Sequence, residues 1–283
     1  MTNSKEVSTL PNLLVIGAQK AGSTWLHERL AIHPDVFMSE PKELRFFGNR
    51  DKSDSEQSLA GYRLNFLAGE KARYRGESTP AYFWSHDPKS PYGTDLKRSN
   101  LDIPAVVART LDNNIPLILS LRNPVSRAIS AFYHHYKAGN ISPEDTLKTH
   151  GHRWGIIDMG FYQRHIEAWL AHFDRGQLHV VLFDDIVQQP EKVTEKLYRS
   201  LGLSTGVHDP ELRKRSNQGG KRSVDKQLFN TDSIKLDQGT GPRISAADID
   251  FLSELYKDDI TYVENHLSRA LPSWRSRQLA DYL

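Results

Sequence analysis

The sequence predicts an α/β fold built on a mostly parallel β-sheet, with helices packed on both of its faces. Three short apolar runs, at residues 13–16, 117–121 and 179–183, have the length and composition of buried strands. They alternate with segments whose apolar residues recur at three- and four-residue steps, the period of an amphipathic helix. Strands that alternate with helices are typical of parallel sheets. Ligands of such folds bind at the carboxyl ends of the strands, and we expect the site at that edge.

The helices are predicted from the same periodicity and from their end signals. The first runs from about Ser23 to His33, because Pro34 marks its end. Pro124 suits the first position of the second helix, whose apolar stripe extends to Tyr136. Further helices are indicated by apolar positions within 162–173, 193–201 and 249–267. The regions 48–75, 85–103 and 204–245 lack strong periodicity, and we expect loops or short elements there.

Length and composition are those of an ordinary soluble protein. The 283 residues show no composition shift, so we expect one domain over 1–283, with residues 1–11 a flexible N-terminus. The absence of cysteine excludes disulfides, thiolate nucleophiles and Cys-based metal sites. Lys and Arg total 37 against 35 Asp and Glu, whereas nucleic-acid binders usually show a basic excess. The first twelve residues lack the apolar h-region of a signal peptide, and no stretch approaches the roughly 20 apolar residues of a membrane span. We therefore expect a cytoplasmic protein that binds neither nucleic acid nor membrane.

The first strand leads directly into the glycine-flanked segment Gly17–Thr24, and a helix follows. Such a turn presents unpaired backbone N–H groups and the positive end of a helix dipole, which together bind phosphate. Lys20 adds a full charge, and Ser23 and Thr24 add hydroxyls. In the P-loop of triphosphate-binding proteins, G-x-x-x-x-G-K-[ST], a lysine occupies the position of Ser23. The displaced lysine suggests an anion bound without the usual Mg–nucleotide arrangement. The plainer alternative is a strand-to-helix turn with a solvated lysine.

A second candidate anion site follows the strand at 117–121. Arg122 projects from its carboxyl end, and Ser126 and Ser130 lie four residues apart on the polar side of the next helix. An arginine with hydroxyls at a helix start is a good phosphate clamp. Taken alone, the pattern is better explained by an exposed salt bridge and two solvated serines.

Together the two segments resemble those of sulfotransferases that use 3'-phosphoadenosine 5'-phosphosulfate (PAPS). The likeness is greatest to the branch of heparan sulfate and other carbohydrate sulfotransferases with their bacterial relatives. Residues 16–26 are similar to that family's 5'-phosphosulfate loop, and residues 122–130 to its 3'-phosphate motif, an arginine followed eight residues later by a serine. The resemblance covers roughly residues 12–203 and implies a P-loop-type fold that binds PAPS without a metal. The donor-binding residues that it implies here are Gln19, Lys20, Ala21, Gly22, Ser23, Thr24, Trp25, Arg122 and Ser130.

The basic segment 213–222 resembles the late loop that closes over the 3'-phosphate and adenine in this family. The resemblance adds Asn217, Gly220, Lys221 and Arg222 to the donor-binding set. A solvated charged loop explains the same composition equally well.

The segment from Glu40 to Phe47 resembles the stretch that holds the catalytic glutamate of the heparan sulfate branch. The matching residue is Glu43. The resemblance implies an in-line displacement in which Glu43 takes the proton of the acceptor and Lys20 stabilises the leaving phosphate. Glu40 is the reserve candidate, and a surface carboxylate is the alternative for Glu43. Lys42 is a candidate for substrate or cofactor contact, and Arg45 stands where the branch often has histidine.

Residues 76–83 resemble a further family stretch, which usually has a lysine after its glutamate. Ser78 occupies that position here, so the charge of that lysine is missing, and Glu77 and Thr79 remain to orient the site. Steroid and phenol sulfotransferases use a histidine base instead, for which His134 and His135 are the alternatives. A histidine on a helix is more often structural.

Two other functions stay open. The apolar run that ends in Asp184 and Asp185 looks like the Mg-holding strand of a P-loop kinase or nucleotide hydrolase, although the loop lysine is misplaced for one. A non-catalytic nucleotide-binding protein would keep the same fold. For a sulfotransferase, the sequence leaves open a small-molecule, carbohydrate, lipid or carrier-bound acceptor, O- or N-sulfation, and the oligomeric state. The near-neutral charge weighs mildly against a long polyanionic glycan. We expect loops, among them 140–158, to set specificity.

Overall fold

The computed structural model describes residues 9–48, 55–85, 87, 89–93, 101–209, 212, 242 and 244–277. At its centre, five parallel strands form a sheet in the order β2-β3-β1-β4-β5, so the predicted α/β fold with a parallel sheet is confirmed. The strands are β1 (Leu13–Gly17), β2 (Val36–Met38), β3 (Tyr74–Ser78), β4 (Leu117–Leu121) and β5 (Leu178–Leu182).

The helices of the described segments connect these strands and follow them. They are α1 (Ser23–Ile32), α2 (Glu56–Leu64), α3 (Ile103–Thr110), α4 (Pro124–Lys137), α5 (Leu147–His150), α6 (Tyr162–Leu170), α7 (Phe183–Gln188), α8 (Pro190–Ser200), α9 (Ala246–Leu255) and α10 (Lys257–Leu267). Short 3-10 turns at Pro80–Phe83 and Asp158–Gly160 complete the edge of the sheet that carries the site.

Successive residues of β1 point into two different hydrophobic cores, which explains why helices cover both faces. Leu14 and Ile16 pack with residues of α3, α6 and α10, whereas Leu13 and Val15 pack with residues of α1 and α8. A third cluster joins α4 to α9. Because β1 is the central strand and is fully buried, its carboxyl end holds the loop that follows in a fixed position.

Two strands of the sheet are absent from the sequence-based prediction. β3 has the sequence YRGES, in which Arg75, Glu77 and Ser78 are polar, yet all three are buried. Tertiary partners satisfy them: the Nε of Arg75, for example, donates to the carbonyl of Leu10 at 3.1 Å. Hydrophobic periodicity therefore does not detect this strand. β2 has only three residues.

Several predicted loops and ends also differ from the structure. The region 48–75 contains α2 and the start of β3, α3 starts at the end of 85–103, and 140–158 contains α5. The predicted C-terminal helix is two helices, separated at Tyr256, whose buried hydroxyl donates to the carbonyl of Ile157 at 2.7 Å. Of the expected flexible N-terminus, residues 1–8 lie outside the described residues and Leu10 is buried.

A buried ion pair joins α1 to the segment after α8. The Nη1 of Arg29 lies 2.5 Å from the Oδ2 of Asp209, and the two side chains are 3% and 5% exposed. Close by, the indole of Trp25 donates to the carbonyl of Leu212 at 3.3 Å. These contacts hold residues 209 and 212 against the helix that begins at the phosphate loop.

We expect Asp209→Leu to lower the free energy of unfolding by about 3 kcal/mol, because Arg29 is left buried without this partner. Glu28, 3.7 Å from Arg29 and 41% exposed, is too solvated to replace it. The double variant Arg29→Met with Asp209→Leu is expected to recover most of the loss, as measured by urea denaturation. A double variant no more stable than the single one would contradict this.

Candidate active site

The loop after β1 lies at the carboxyl edge of the sheet and is tied to β4 by two hydrogen bonds. The N–H of Ala18 donates to the carbonyl of Ser120 at 2.8 Å, and the hydroxyl of Ser120 donates to the carbonyl of Gly17 at 2.9 Å. Gly22 ends the loop with a φ of 97°, and a Cβ there would lie 3.1 Å from Phe183 and Ile186. Glycine is therefore required at this position both by conformation and by space.

The N-terminus of α1 has no side-chain cap. The first intrahelical hydrogen bond runs from the N–H of Leu26 to the carbonyl of Gly22 at 3.1 Å. N–H groups of the first turn have no carbonyl partner inside a helix, and the dipole adds partial positive charge there. This loop and helix end therefore have the construction of an anion-binding site.

Lys20 is in the same loop and lies close to other cations. Burial, and then the positive charges of Arg122 and Lys137, lower the pKa of the Lys20 ammonium. Within the described ranges, Lys20 forms no salt bridge. A bound anion would relieve the repulsion among these positive charges.

Arg122 follows β4 and reaches the phosphate loop from the neighbouring strand. Its guanidinium lies 3.4 Å from the carbonyl of Lys20, within hydrogen-bond reach, and 4.7 Å from the ring centroid of Phe183. Burial lowers the pKa of Arg122 to about 10, against the attraction of Asp184, so the group stays charged at neutral pH. The two segments that the sequence identified as anion sites are thus brought together at one edge.

The N-terminus of α4 differs from that of α1 because a side chain caps it. The Oδ1 of Asn123 accepts hydrogen bonds from Val125 N at 2.9 Å and Ser126 N at 3.4 Å. Ser130, further along the helix, is half-buried, and its hydroxyl has no protein partner in the part of the chain described. An anion beside α4 would therefore be held by side chains such as Arg122 and Ser130, with little help from the helix end.

The remaining donor-binding candidates fall into two groups. Gln19, Ala21, Ser23, Thr24 and Trp25 all lie in the loop or the first turn of α1. Asn217, Gly220, Lys221 and Arg222 lie outside the described residues. Leu212, which precedes that segment, contacts Trp25 as described above.

Glu43 lies in the loop after β2 and is held by its backbone and by both of its oxygens. Its N–H donates to the carbonyl of Ser78 at 3.0 Å, and its φ is 66°. The Nζ of Lys42 and the Nη2 of Arg45 each lie 2.9 Å from one carboxylate oxygen. Although burial raises it, hydrogen bonds from Arg45 and Lys42 hold the pKa of the Glu43 carboxyl below its ordinary value. Glu43 is therefore a carboxylate at neutral pH.

A buried carboxylate, Glu77 of β3, organises the same loop. It accepts hydrogen bonds from the hydroxyls of Tyr62, Thr79 and Tyr82, the last two at 2.6 and 2.8 Å. Burial raises the pKa of Glu77 despite these donors. Thr79 in turn accepts from the N–H of Arg45 at 3.3 Å, and Tyr82 from the N–H of Phe47 at 3.2 Å. Glu77 thereby fixes the backbone on the C-terminal side of Glu43.

Glu40, the reserve candidate for the base, lines a different surface. It borders a groove along the edge strand β2, together with apolar residues that include Met38 and Leu64. Glu43, in contrast, acts on His134: burial and then the positive charge of Lys20 lower the pKa of this histidine, and the charge of Glu43 opposes them. His134 therefore links the two sides of the site electrostatically. His135 points elsewhere and stacks on Trp154 with ring centroids 4.6 Å apart.

One side chain beside this site could not be identified from any local pattern in the sequence. The Nδ1 of His27, on α1, lies 3.0 Å from the Oγ of Ser78. The two residues are 51 positions apart, so only the pairing of β1 with β3 brings them together.

Asp184 and Asp185 do not end a strand, because β5 stops at Leu182 and both residues lie in the first turn of α7. Asp184 accepts a hydrogen bond from the indole of Trp274 at 2.5 Å. Asp185 forms a bidentate ion pair with Arg269 at 2.5 and 2.8 Å. Both carboxylates are thus engaged by the C-terminal part of the chain, which removes the observation that favoured a kinase or hydrolase.

The fold and the site define an α/β protein with the construction of an anion-binding site at the carboxyl edge of a parallel sheet, beside a glutamate on an adjacent loop. A model of the sulfotransferase domain matches residues 10–223, well over half of the chain. The protein therefore belongs to the sulfotransferase family.

Similar proteins agree with this assignment. Heparan sulfate glucosamine 3-O-sulfotransferase 3B1 of Mus musculus is 29% identical over 208 residues, which cover 71% of this chain and 48% of the relative. The Mus musculus bifunctional heparan sulfate N-deacetylase/N-sulfotransferase 4 is 26% identical, with 98% of this chain and 32% of the relative covered. The chain thus spans about half the length, or less, of these relatives. The predicted likeness to the heparan sulfate branch is confirmed.

Among solved structures, a sulfotransferase from Alicyclobacillus acidocaldarius shares the fold with a TM-score of 0.65 and 20% identity. The match covers 94% of this chain and 99% of that one. Separately, no helix within the described ranges combines the length and apolar character that crossing a bilayer requires.

The hydrogen bonds to Glu43 give a prediction for its titration. Removing the guanidinium in Arg45→Ala takes away one hydrogen bond and one positive charge, so the pKa of the Glu43 carboxyl is expected to rise. The carboxylate then accepts its proton at a higher pH than in the wild type. Carboxyl ¹³C NMR titration measures the midpoint, and Arg199→Ala, at an exposed pair on α8, is the matched control. An unchanged midpoint in Arg45→Ala would show that the ion pair does not form in solution.

Proposed function

We propose that this protein transfers a sulfuryl group from PAPS to an acceptor hydroxyl or amine, with Glu43 as general base and Lys20 stabilising the leaving phosphate. The observation that carries the proposal is the convergence of Lys20 and Arg122 at the uncapped N-terminus of α1, beside the Glu43 loop. Family membership supports the same reaction.

The residues present fit a donor with phosphates at both ends of a nucleoside. The open first turn of α1 and the charge of Lys20 suit its 5' end. Arg122 and the half-buried hydroxyl of Ser130, which has no partner among the described residues, suit the 3'-phosphate. When bound, PAPS supplies an activated sulfuryl group that reaches the acceptor by in-line displacement. Asn217, Gly220, Lys221 and Arg222 complete the proposed donor set.

Glu43 acts on the acceptor in this proposal. As a carboxylate it accepts the proton that the hydroxyl or amine loses, and its fixed backbone keeps the oxygens in place for this step. Lys20 holds a positive charge where negative charge develops on the leaving phosphate, in a half-buried setting that strengthens the interaction. Lys42 and Arg45 keep Glu43 ionised before the acceptor binds.

The acceptor is proposed at the level of its class. The named relatives act on heparan sulfate, so carbohydrate hydroxyls and amines are the first acceptors to test. The net charge of +2 gives no sign of a strongly basic cleft for a long polyanion. A small-molecule or carrier-bound acceptor stays compatible with the same site.

We also infer one domain over 1–283 and a cytoplasmic location.

We expect 3'-phosphoadenosine 5'-phosphate (PAP), the spent donor, to bind in EDTA, with ATP binding much more weakly. Arg122→Gln is expected to weaken PAP about 10- to 100-fold, because a charge-assisted phosphate contact is lost. Isothermal titration calorimetry measures both, and Lys196→Gln, an exposed lysine on α8, is the control. Binding of ATP that appears only with Mg²⁺, with none of PAP, would favour the kinase instead.

Glu43→Gln is expected to lower turnover about 100-fold or more while the affinity for PAP stays within about twofold. Transfer of ³⁵S from labelled PAPS to heparan sulfate and to simple glucosaminides measures turnover. Glu40→Gln and His134→Gln are assayed alongside. A loss confined to either of these variants would move the base to that residue, and PAP binding without turnover of any acceptor would favour a non-catalytic binding protein.

A further inference from the structure

His27 lies on the β3 side of the site, whereas Arg122 follows β4 on the other side of β1. His27 is in the second turn of α1, and its Nδ1 is 3.0 Å from the Oγ of Ser78, the last residue of β3. Ser78 is fully buried, and its carbonyl accepts the N–H of Glu43 at 3.0 Å. The imidazole therefore meets the same residue that anchors the backbone of the proposed base.

The second nitrogen of this ring is open. In the part of the chain described, Nε2 of His27 has no hydrogen-bond partner, and it is not among the buried polar atoms that lack one, so it reaches solvent. His33 and His165 differ, because both nitrogens of each ring bond within the protein. A ring fixed at one nitrogen and open at the other can present a directed hydrogen bond to a ligand.

The surroundings of His27 keep that ring neutral. Burial, and then the positive charge of Lys42, lower the pKa of His27 to about 4. Lys42 is itself paired with the Oε1 of Glu43 at 2.9 Å. An acceptor whose reacting group approaches Glu43 therefore lies beside a neutral imidazole on this flank.

We propose that His27 is a specificity-determining residue that hydrogen-bonds, through Nε2, an uncharged hydroxyl of the acceptor next to the group that reacts. The proposal rests on the proposed function, since it takes Glu43 and the loop of Lys20 as the place of transfer. Ser78 fixes the ring orientation from behind. The class of acceptor that fits is a polyol such as a sugar, with an uncharged hydroxyl where it meets His27.

The test uses the full chain loaded with PAP and methyl β-D-glucopyranoside as the probe. Long-range ¹H–¹⁵N NMR follows the ring nitrogens of His27, assigned by their disappearance in His27→Gln. We expect the Nε2 signal to shift and saturate as the glucoside is added. His27→Phe is expected to weaken the glucoside about 3- to 10-fold, the range of one lost hydrogen bond. His27→Gln, which keeps a polar group at that reach, is expected to recover part of the loss.

The affinity for PAP distinguishes failure of this proposal from failure of the proposed function. It also shows that each variant is folded. His172→Phe, at a pair with Asp102, is the matched control and is expected to bind both ligands like the wild type. His27 signals that stay fixed throughout the titration, or equal glucoside affinity in wild type and His27→Phe, overturn the proposal while PAP binding leaves the proposed function standing. Failure of the wild type to bind PAP overturns both.

Discussion

The carboxylate of Glu77 is buried at the carboxyl edge of the sheet, and no cation in the described segments pairs with it. Burying this polar group without partners would be costly, and three hydroxyls supply the partners. Two of those hydroxyls, from Thr79 and Tyr82, also accept backbone N–H groups of the loop that carries Glu43. One buried carboxyl group therefore connects the central sheet to the loop on which the proposed chemistry depends.

The two sides of the site differ in whether backbone groups or side chains form them. The side next to β1 consists mainly of backbone: a glycine with positive φ, an uncapped helix end and a loop tied to β4. The proposed acceptor side consists of side chains, with Glu43 between Lys42 and Arg45 and His27 against Ser78. The first arrangement follows from local conformation, whereas the second requires residues from α1, β2 and β3 to meet.

This division also explains what the sequence could predict. The strands β1, β4 and β5 are continuous apolar runs, and the glycines and lysine of the phosphate loop are adjacent in the chain, so a local pattern reveals them. β3 was not predicted, because its buried polar residues form hydrogen bonds with residues distant in the chain, such as Leu10 and Tyr62. The sequence also shows no sign of the role of His27, because its partner Ser78 is 51 residues away in the chain. Asp184 and Asp185 were interpreted as the end of a Mg-holding strand. A short apolar run does not show which element follows it, and here a helix begins immediately after β5.

The contrast between the two helix ends has a consequence for how donor recognition can be changed. At α4 the side chain of Asn123 occupies the first amides, so the proposed contacts to the 3'-phosphate come from Arg122 and Ser130. At α1 the proposed contacts to the 5' end come largely from main-chain groups, which every residue carries. A single substitution at Arg122 or Ser130 can therefore remove the preference for a 3'-phosphorylated donor, while the main-chain groups proposed to bind the 5' end stay in place. Evolution or an engineer seeking a different nucleotide would start at α4.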